Sequence, residues 1–152
     1  MILTQILNPA CVKVPLVGKN RQEVITELVD LLDANGLLND RAVVLDTVLA
    51  REQRSSTGIG GGIAIPHGKC KGVRDLAMAI GITNEPIDFA SIDSRPVRVV
   101  ILLVSPTDKT GPHIQALARI SRLMLDKDFK ERLERAKTAQ ELYELVSEKE
   151  NE

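Results

Sequence analysis

His67 is the residue from which a chemical reading starts. It lies in Ser55-Ser56-Thr57-Gly58-Ile59-Gly60-Gly61-Gly62-Ile63-Ala64-Ile65-Pro66-His67-Gly68, which holds one of the chain's two histidines and, ahead of Ile63, four of its ten glycines. Glycine at 58, 60, 61 and 62 lets the backbone adopt positive φ and approach a ligand closely. Successive N–H groups in such turns form an anion-binding concavity. The apolar run Ile63–Ile65 reads as a short buried strand ending in Pro-His-Gly. One imidazole, delivered at a rigid strand end to a floor of bare N–H groups, suits a histidine that carries a phosphoryl group.

Other phosphate and metal chemistries fit less well. A Walker A loop needs Gly-Lys-Ser/Thr preceded by a glycine at fixed spacing. Here Gly68-Lys69 is followed by Cys70, and Ile63 stands where the first glycine belongs. In the dinucleotide pattern, Gly58-Ile59-Gly60 begins correctly but Ile63 occupies the last glycine's place, and the loop precedes a strand instead of a helix. Neither His67 nor His113 belongs to a closely spaced ligand pair, and Cys11 and Cys70 form no Cys-x-x-Cys, so no metal site is expected.

The surrounding pattern is that of an α/β chain. Cys11–Leu16 alternates and reads as a strand, placed at an edge by Pro15. Asn20 with Glu23 forms a capping box for a helix carrying Val24, Ile25, Leu28, Val29 and Leu32 inward, stopped by Gly36. Asn39 or Asp40 caps a second helix with Val44, Leu45, Val48 and Leu49 buried, running out near Ala50-Arg51-Glu52. Arg51 thus stands at a helix end facing the start of the glycine loop. Leu76–Ile82 is a strand bounded by the turn Asn84-Glu85-Pro86, and Ile87-Asp88-Phe89 adds a brief strand. Val97–Val104 is nearly continuous apolar sequence, suited to a central strand covered on both faces. Pro112 fits the first turn of a helix, with His113 in that turn and Ile114, Leu117, Ala118 and Ser121 inward. Asp128–Ala136 reads as a short helix. Thr138 and Glu141 open a last one through Leu142, Leu145 and Val146, and the charged tail Glu148–Glu152 is expected to fray. Strands alternating with helices predict one sheet between helices, and residues 1–152 read as a single domain.

Composition excludes several function classes. Net charge is −1, from 20 basic and 21 acidic residues, with no Trp, one Tyr and two Phe. A nucleic-acid binder wants a basic patch, and a single-strand binder wants aromatic stacking platforms. The longest apolar run, Val99–Val104, is far short of the ~20 residues a membrane helix needs. Met1–Gln5 carries no signal-peptide pattern. Two cysteines make no disulfide framework, so a reducing cytoplasm is the expected location.

Glu52 to Gly68 resembles the phosphorylation-site signature of the fructose/mannitol-type IIA domains of the bacterial phosphoenolpyruvate-dependent phosphotransferase system. An acidic residue (Glu52) is followed at the family's spacing by Ile59-Gly60, and then by Ile63-Ala64-Ile65-Pro66-His67-Gly68. The wording Arg-Glu, Ser-Thr-Gly-Ile-Gly and Ile-Ala-Ile-Pro-His-Gly-Lys is most similar to the nitrogen-regulatory branch. The resemblance covers essentially the whole chain and implies a single mixed β-sheet sandwiched between helices.

It also implies roles. His67 would accept a phosphoryl group through Nε2 from HPr or a nitrogen-branch homologue. Arg51, in the place of the family's phosphate-site arginine, would stabilise phosphate charge, its guanidinium fork matching phosphate geometry. His113, at the place of the second histidine, would be kept neutral by the helix dipole and donate a hydrogen bond to phosphate oxygen. Backbone N–H groups of Gly60, Gly61 and Gly62, with Thr57, would form the phosphate-binding loop. Lys69 reads as a solvated charge able to help dock an acidic partner surface. No metal or nucleotide cofactor is required. Two classes share this site: a link passing phosphate to a sugar-specific IIB domain, or a regulator whose phosphorylation state controls targets such as kinases or potassium transport. With no IIC segment or IIB cysteine domain visible, a free-standing regulatory unit is the expectation.

Overall fold

The structure, a computed structural model, describes residues 2–152. A 3-10 turn at Leu3–Gln5 leads into β1 (Leu7–Leu16), followed by α1 (Arg21–Ala34) and α2 (Arg41–Arg54). Three short strands come next, β2 (Gly58–Gly60), β3 (Ile63–Ala64) and β4 (His67–Lys69). Two long strands, β5 (Ala77–Ile87) and β6 (Val97–Ser105), precede α3 (Thr110–Leu123), α4 (Lys127–Glu134) and α5 (Ala139–Glu150).

All six strands join one mixed sheet in the order β1-β5-β6-β3-β2, with β4 also pairing β6. The apolar run at 97–104 becomes the central strand β6, and Val99–Val104 are fully buried on both faces. Each such Val, Leu or Ile contributes about 1.5–3 kcal/mol by leaving water. β5 lies antiparallel to β6, while β3 and β4 run parallel to it. β1, with Pro15, lies parallel to β5 at the sheet's edge, as expected. Helices α1 and α2 pack together over β1, β5 and β4, and α3, α4 and α5 pack over β6 and β1, so the sheet sits between helices.

The helix starts follow their caps. Asn20 Oδ1 accepts the Glu23 N–H, Asp40 Oδ1 the Val43 N–H, and Thr138 Oγ1 the Glu141 N–H. Each such cap stabilises its helix by about 1 kcal/mol. Gly36, at φ 72°, ends α1 where the sequence placed its stop.

Several expectations need correction. Asn84-Glu85-Pro86 does not end a strand: β5 continues to Ile87, and the extra residues bulge out between the Ile82–Val99 and Ile87–Val97 pairs. β6 supplies partners on both sides of the bulge, which overrides the local turn signal. α2 runs to Arg54, two residues beyond Glu52. α3 turns a different face inward: His113, Ala116, Ile120 and Leu123 are buried, while Ile114, Ala118 and Ser121 are exposed. Ala116, Ile120 and Leu123 form an apolar stripe packed into the core, and His113 on the same face bonds to Ser105. The tail is also better tied than expected. Buried Glu150 accepts the Leu3 N–H at 2.5 Å and the Thr4 N–H at 3.0 Å, and pairs with Arg119 at 3.3 Å. Among the described residues no helix is long and apolar enough to cross a membrane.

Candidate functional site

The glycine stretch folds as a hairpin. β2 and β3 pair antiparallel across Gly60, Gly61 and Gly62, whose φ values of 92°, 65° and 83° belong to the left-handed region. Only glycine adopts three such conformations in succession at little cost. After Ala64 the chain leaves the ladder, and it rejoins β6 at His67, opposite Leu103. His67 therefore opens β4 instead of closing the preceding strand. Gly68 explains the residue after it: a Cβ there would stand 3.0 Å from the Thr47 methyl and 3.4 Å from Val48. The bare Cα lets α2 lie directly against β4.

Beside this contact an open cavity of about 620 Å³ lies between α2, β4 and α3. Thr47, Ala50, Arg51 and Arg54 line it from α2, His67, Gly68 and Lys69 from β4, and His113 and Leu117 from α3. The two imidazoles face each other with centroids 5.7 Å apart and planes tilted by 58°. Arg51, Arg54 and Lys69 bring three cations and no carboxylate lines the cavity, although the whole chain carries a net charge of −1. Arg51 is anchored by donating from Nη1 to the Ser55 carbonyl at 2.7 Å.

Both rings are held in orientation. His67 Nδ1 lies 2.7 Å from the Ile65 carbonyl oxygen. That oxygen only accepts, so Nδ1 carries the proton and the lone pair is left on Nε2. His113 Nδ1 lies 2.7 Å from Ser105 Oγ. A hydroxyl can give or take the proton, so this bond fixes the ring's orientation and not its tautomer. Burial moves the His67 pKa below its ordinary value; the Arg51 charge adds to the shift, and the Ile65 bond and the Glu52 charge oppose it. For His113, burial followed by the charges of His67 and Lys69 lowers the pKa to about 4. At neutral pH both rings are uncharged. A neutral imidazole with a free Nε2, surrounded by cations, is suited to attack an anionic electrophile.

His67, His113 and Arg51 thus come together as the sequence reading had them. Gly60, Gly61, Gly62 and Thr57 do not. Parallel pairing of Ile63 with Val99 and of His67 with Leu103 separates the glycine turn from His67 along β6, by about 13 Å at the usual strand rise. The Gly61 N–H donates instead to Asp93 Oδ2 at 2.9 Å, and the turn borders a separate groove with Ile92 and Lys130. Thr57 is buried and bonded to Glu52. Residues missed from the sequence are Arg54 and Ser105. Arg54 lies three residues after Arg51 on one helix face, a spacing that would have paired them. Ser105 carries no such signal. Among the described residues, no three His, Cys, Asp or Glu side chains converge as metal ligands would.

Residues 5–149 match the family model described as phosphoenolpyruvate-dependent sugar phosphotransferase system, EIIA 2. A fructose-specific EIIABC component of Bacillus subtilis (strain 168) is 33% identical over 147 residues, which are 97% of this chain but 23% of that protein. The nitrogen regulatory protein of Escherichia coli (strain K12) is 34% identical over 151 residues, 97% of this chain and 91% of that one. Among solved structures, the nitrogen regulatory protein IIA-Ntr from Neisseria meningitidis superposes with a TM-score of 0.86 at 28% identity, covering 95% of this chain and 98% of that one.

Proposed function

This chain belongs to the phosphoenolpyruvate-dependent sugar phosphotransferase system EIIA 2 family, and on that premise we propose that it is a phosphocarrier acting mainly as a regulatory, nitrogen-type IIA protein. The observation that carries the proposal is the presentation of His67: Nδ1–H is held by the Ile65 carbonyl, which leaves the lone pair on Nε2, and the residue lines one cavity with Arg51, Arg54 and Lys69.

In the reaction, the Nε2 lone pair attacks the phosphorus of a phosphohistidine on HPr or a nitrogen-branch homologue. The new N–P bond forms as the donor's N–P bond breaks, and the donor imidazole leaves with the electron pair. Such transfer needs little covalent help, so positioning and charge stabilisation carry it. Arg51 offers a planar fork to the phosphoryl oxygens, with Arg54 and Lys69 adding charge. His113, buried with its ring centroid 5.7 Å from that of His67, would hydrogen-bond the same group. The glycine turn is not assigned to the phosphate.

Intact-mass analysis after incubation with phosphoenolpyruvate, enzyme I and HPr or its nitrogen-branch homologue tests this. One acid-labile phosphate is expected on the wild type and none on His67→Ala. Absence of phosphate with either donor would reject the phosphocarrier reading. Similarity along nearly the full length of nitrogen regulatory proteins favours the regulatory role. Similarity to a fructose-specific component supports a second reading, transfer onward to a IIB domain. Phosphate appearing on a IIB cysteine would select that reading.

A further inference from the structure

We propose that Glu52 is a positioning residue that sets the tautomer and the aim of the His67 ring through a relay of hydrogen bonds. The proposal rests on the reading of His67 as phosphoryl acceptor, but it concerns atoms that never touch the phosphate.

Glu52 is 3% exposed, although it carries a carboxylate. Burying such a group is costly unless its oxygens are satisfied. Here both are used on one residue: Oε2 accepts the Thr57 N–H at 2.8 Å, and Oε1 accepts the Thr57 hydroxyl. Arg21 Nη1, 3.7 Å from Oε2, provides counter-charge. Thr57 is thereby clamped at two atoms where the chain leaves α2. Its carbonyl oxygen accepts the Ile65 N–H at 3.0 Å, and the Ile65 carbonyl in turn accepts His67 Nδ1–H at 2.7 Å. The path from Glu52 to the ring is continuous, each link at ordinary hydrogen-bond distance or shorter.

Local stereochemistry makes this path stiff. Ile65 precedes Pro66, which restricts Ile65 to extended conformations. With its N–H tied to Thr57 as well, the Ile65 carbonyl has little freedom to swing away from the ring. The Pro66 carbonyl accepts the Leu103 N–H at 3.0 Å, fastening the next peptide to β6. A carboxylate only accepts, so the Thr57 hydroxyl must point toward Glu52. Without that clamp, the Thr57–Ile65 segment and the imidazole proton would be free to rearrange, and a ring protonated on Nε2 has no lone pair there. The substitution Glu52→Gln would keep one acceptor oxygen for the Thr57 N–H and supply an amide for the rotatable hydroxyl, so it preserves the clamp.

The test reads the tautomer directly. Full-length chain labelled with ¹⁵N-histidine is examined by long-range ¹H–¹⁵N correlation at about pH 8, above the ordinary imidazole pKa, with His67 assigned by its loss in His67→Ala. Glu52→Ala, Thr57→Val and Glu52→Gln are compared with Thr138→Ala, which removes the distant α5 cap. Phosphate uptake from phospho-HPr and from its phosphorylated nitrogen-branch homologue is timed in parallel. Expected are one Nδ1–H tautomer in wild type, Glu52→Gln and Thr138→Ala, and mixed tautomers with uptake slowed about tenfold in Glu52→Ala and Thr57→Val. Thr57→Val, which keeps the shape of the site, carries the test if Glu52→Ala fails to fold. An unchanged Nδ1–H tautomer in the folded variants overturns the relay, whether or not the wild type takes up phosphate. A shifted tautomer with no uptake by the wild type upholds the relay and rejects the acceptor reading.

Discussion

Two imidazoles 5.7 Å apart are both kept uncharged by burial, and the sign of that effect governs their behaviour in acid. A histidine whose folded pKa lies below its unfolded value takes up a proton first in the unfolded chain. The stability tied to it is complete above the unfolded value and declines as pH falls toward the folded one. For His113 that window runs from about 6.5, the ordinary value, down to about 4. Urea unfolding across a pH series should show stability falling through this window, with a shallower fall in His113→Gln. An equal slope in the variant would contradict the assignment. For His67 the shift has the same direction, so an NMR titration should place its midpoint below 6.5.

At the scale of elements, the close contact of β4 with α2 decides whether Arg51 reaches His67. Gly68 makes that contact possible, because a Cβ there already meets Thr47 at 3.0 Å. Gly68→Val should push α2 outward at a cost of about 1–3 kcal/mol for overpacking. Phosphate uptake should fall by more than the folded fraction explains, since Arg51 moves with the helix. Comparing denaturant midpoints with uptake rates separates the two effects, and uptake that simply tracks the folded fraction would show that the helix position is immaterial. A second element-level point concerns the hairpin at Gly60–Gly62. Its three left-handed glycines serve a tight turn held by Asp93 and set apart from His67 along β6.

Across the whole molecule, charge and connectivity act at long range. A chain with net charge −1 presents three cations and no acid around one cavity. Such a field steers an anionic partner and is screened beyond about 8 Å at physiological ionic strength. The rate of phosphate uptake from phospho-HPr should therefore fall with added salt, and Arg54→Gln should flatten that dependence. A salt-independent rate would mean that the cations do not guide the encounter. The two ends of the described chain are joined by Glu150, which is buried against the N–H groups of Leu3 and Thr4 and against Arg119. Glu150→Ala would leave a buried donor and a guanidinium unpaired, a loss of about 2–4 kcal/mol. Chemical denaturation measures it, and the His67 cavity should survive in the folded fraction.

What the sequence determined by itself is whatever depends on neighbours along the chain. The caps at Asn20, Asp40 and Thr138, the central apolar strand ending at Val104 and the edge position of Pro15 all follow from side-chain chemistry within a few residues. The signature around His67 was legible for the same reason, because it is contiguous. Tertiary structure alone decided the rest. Pairing with β6 carried the glycine turn away from His67 and absorbed Asn84–Pro86 into one strand, since a ladder's hydrogen bonds outweigh a local turn preference. Packing of Ala116, Ile120 and Leu123 into the core chose the inward face of α3, where helical spacing permitted two. Glu150 became a buried tie instead of a frayed end because its partners lie at the opposite end of the chain. Short-range rules cannot read such a contact, as the groups meet only once the sheet has closed between its helices.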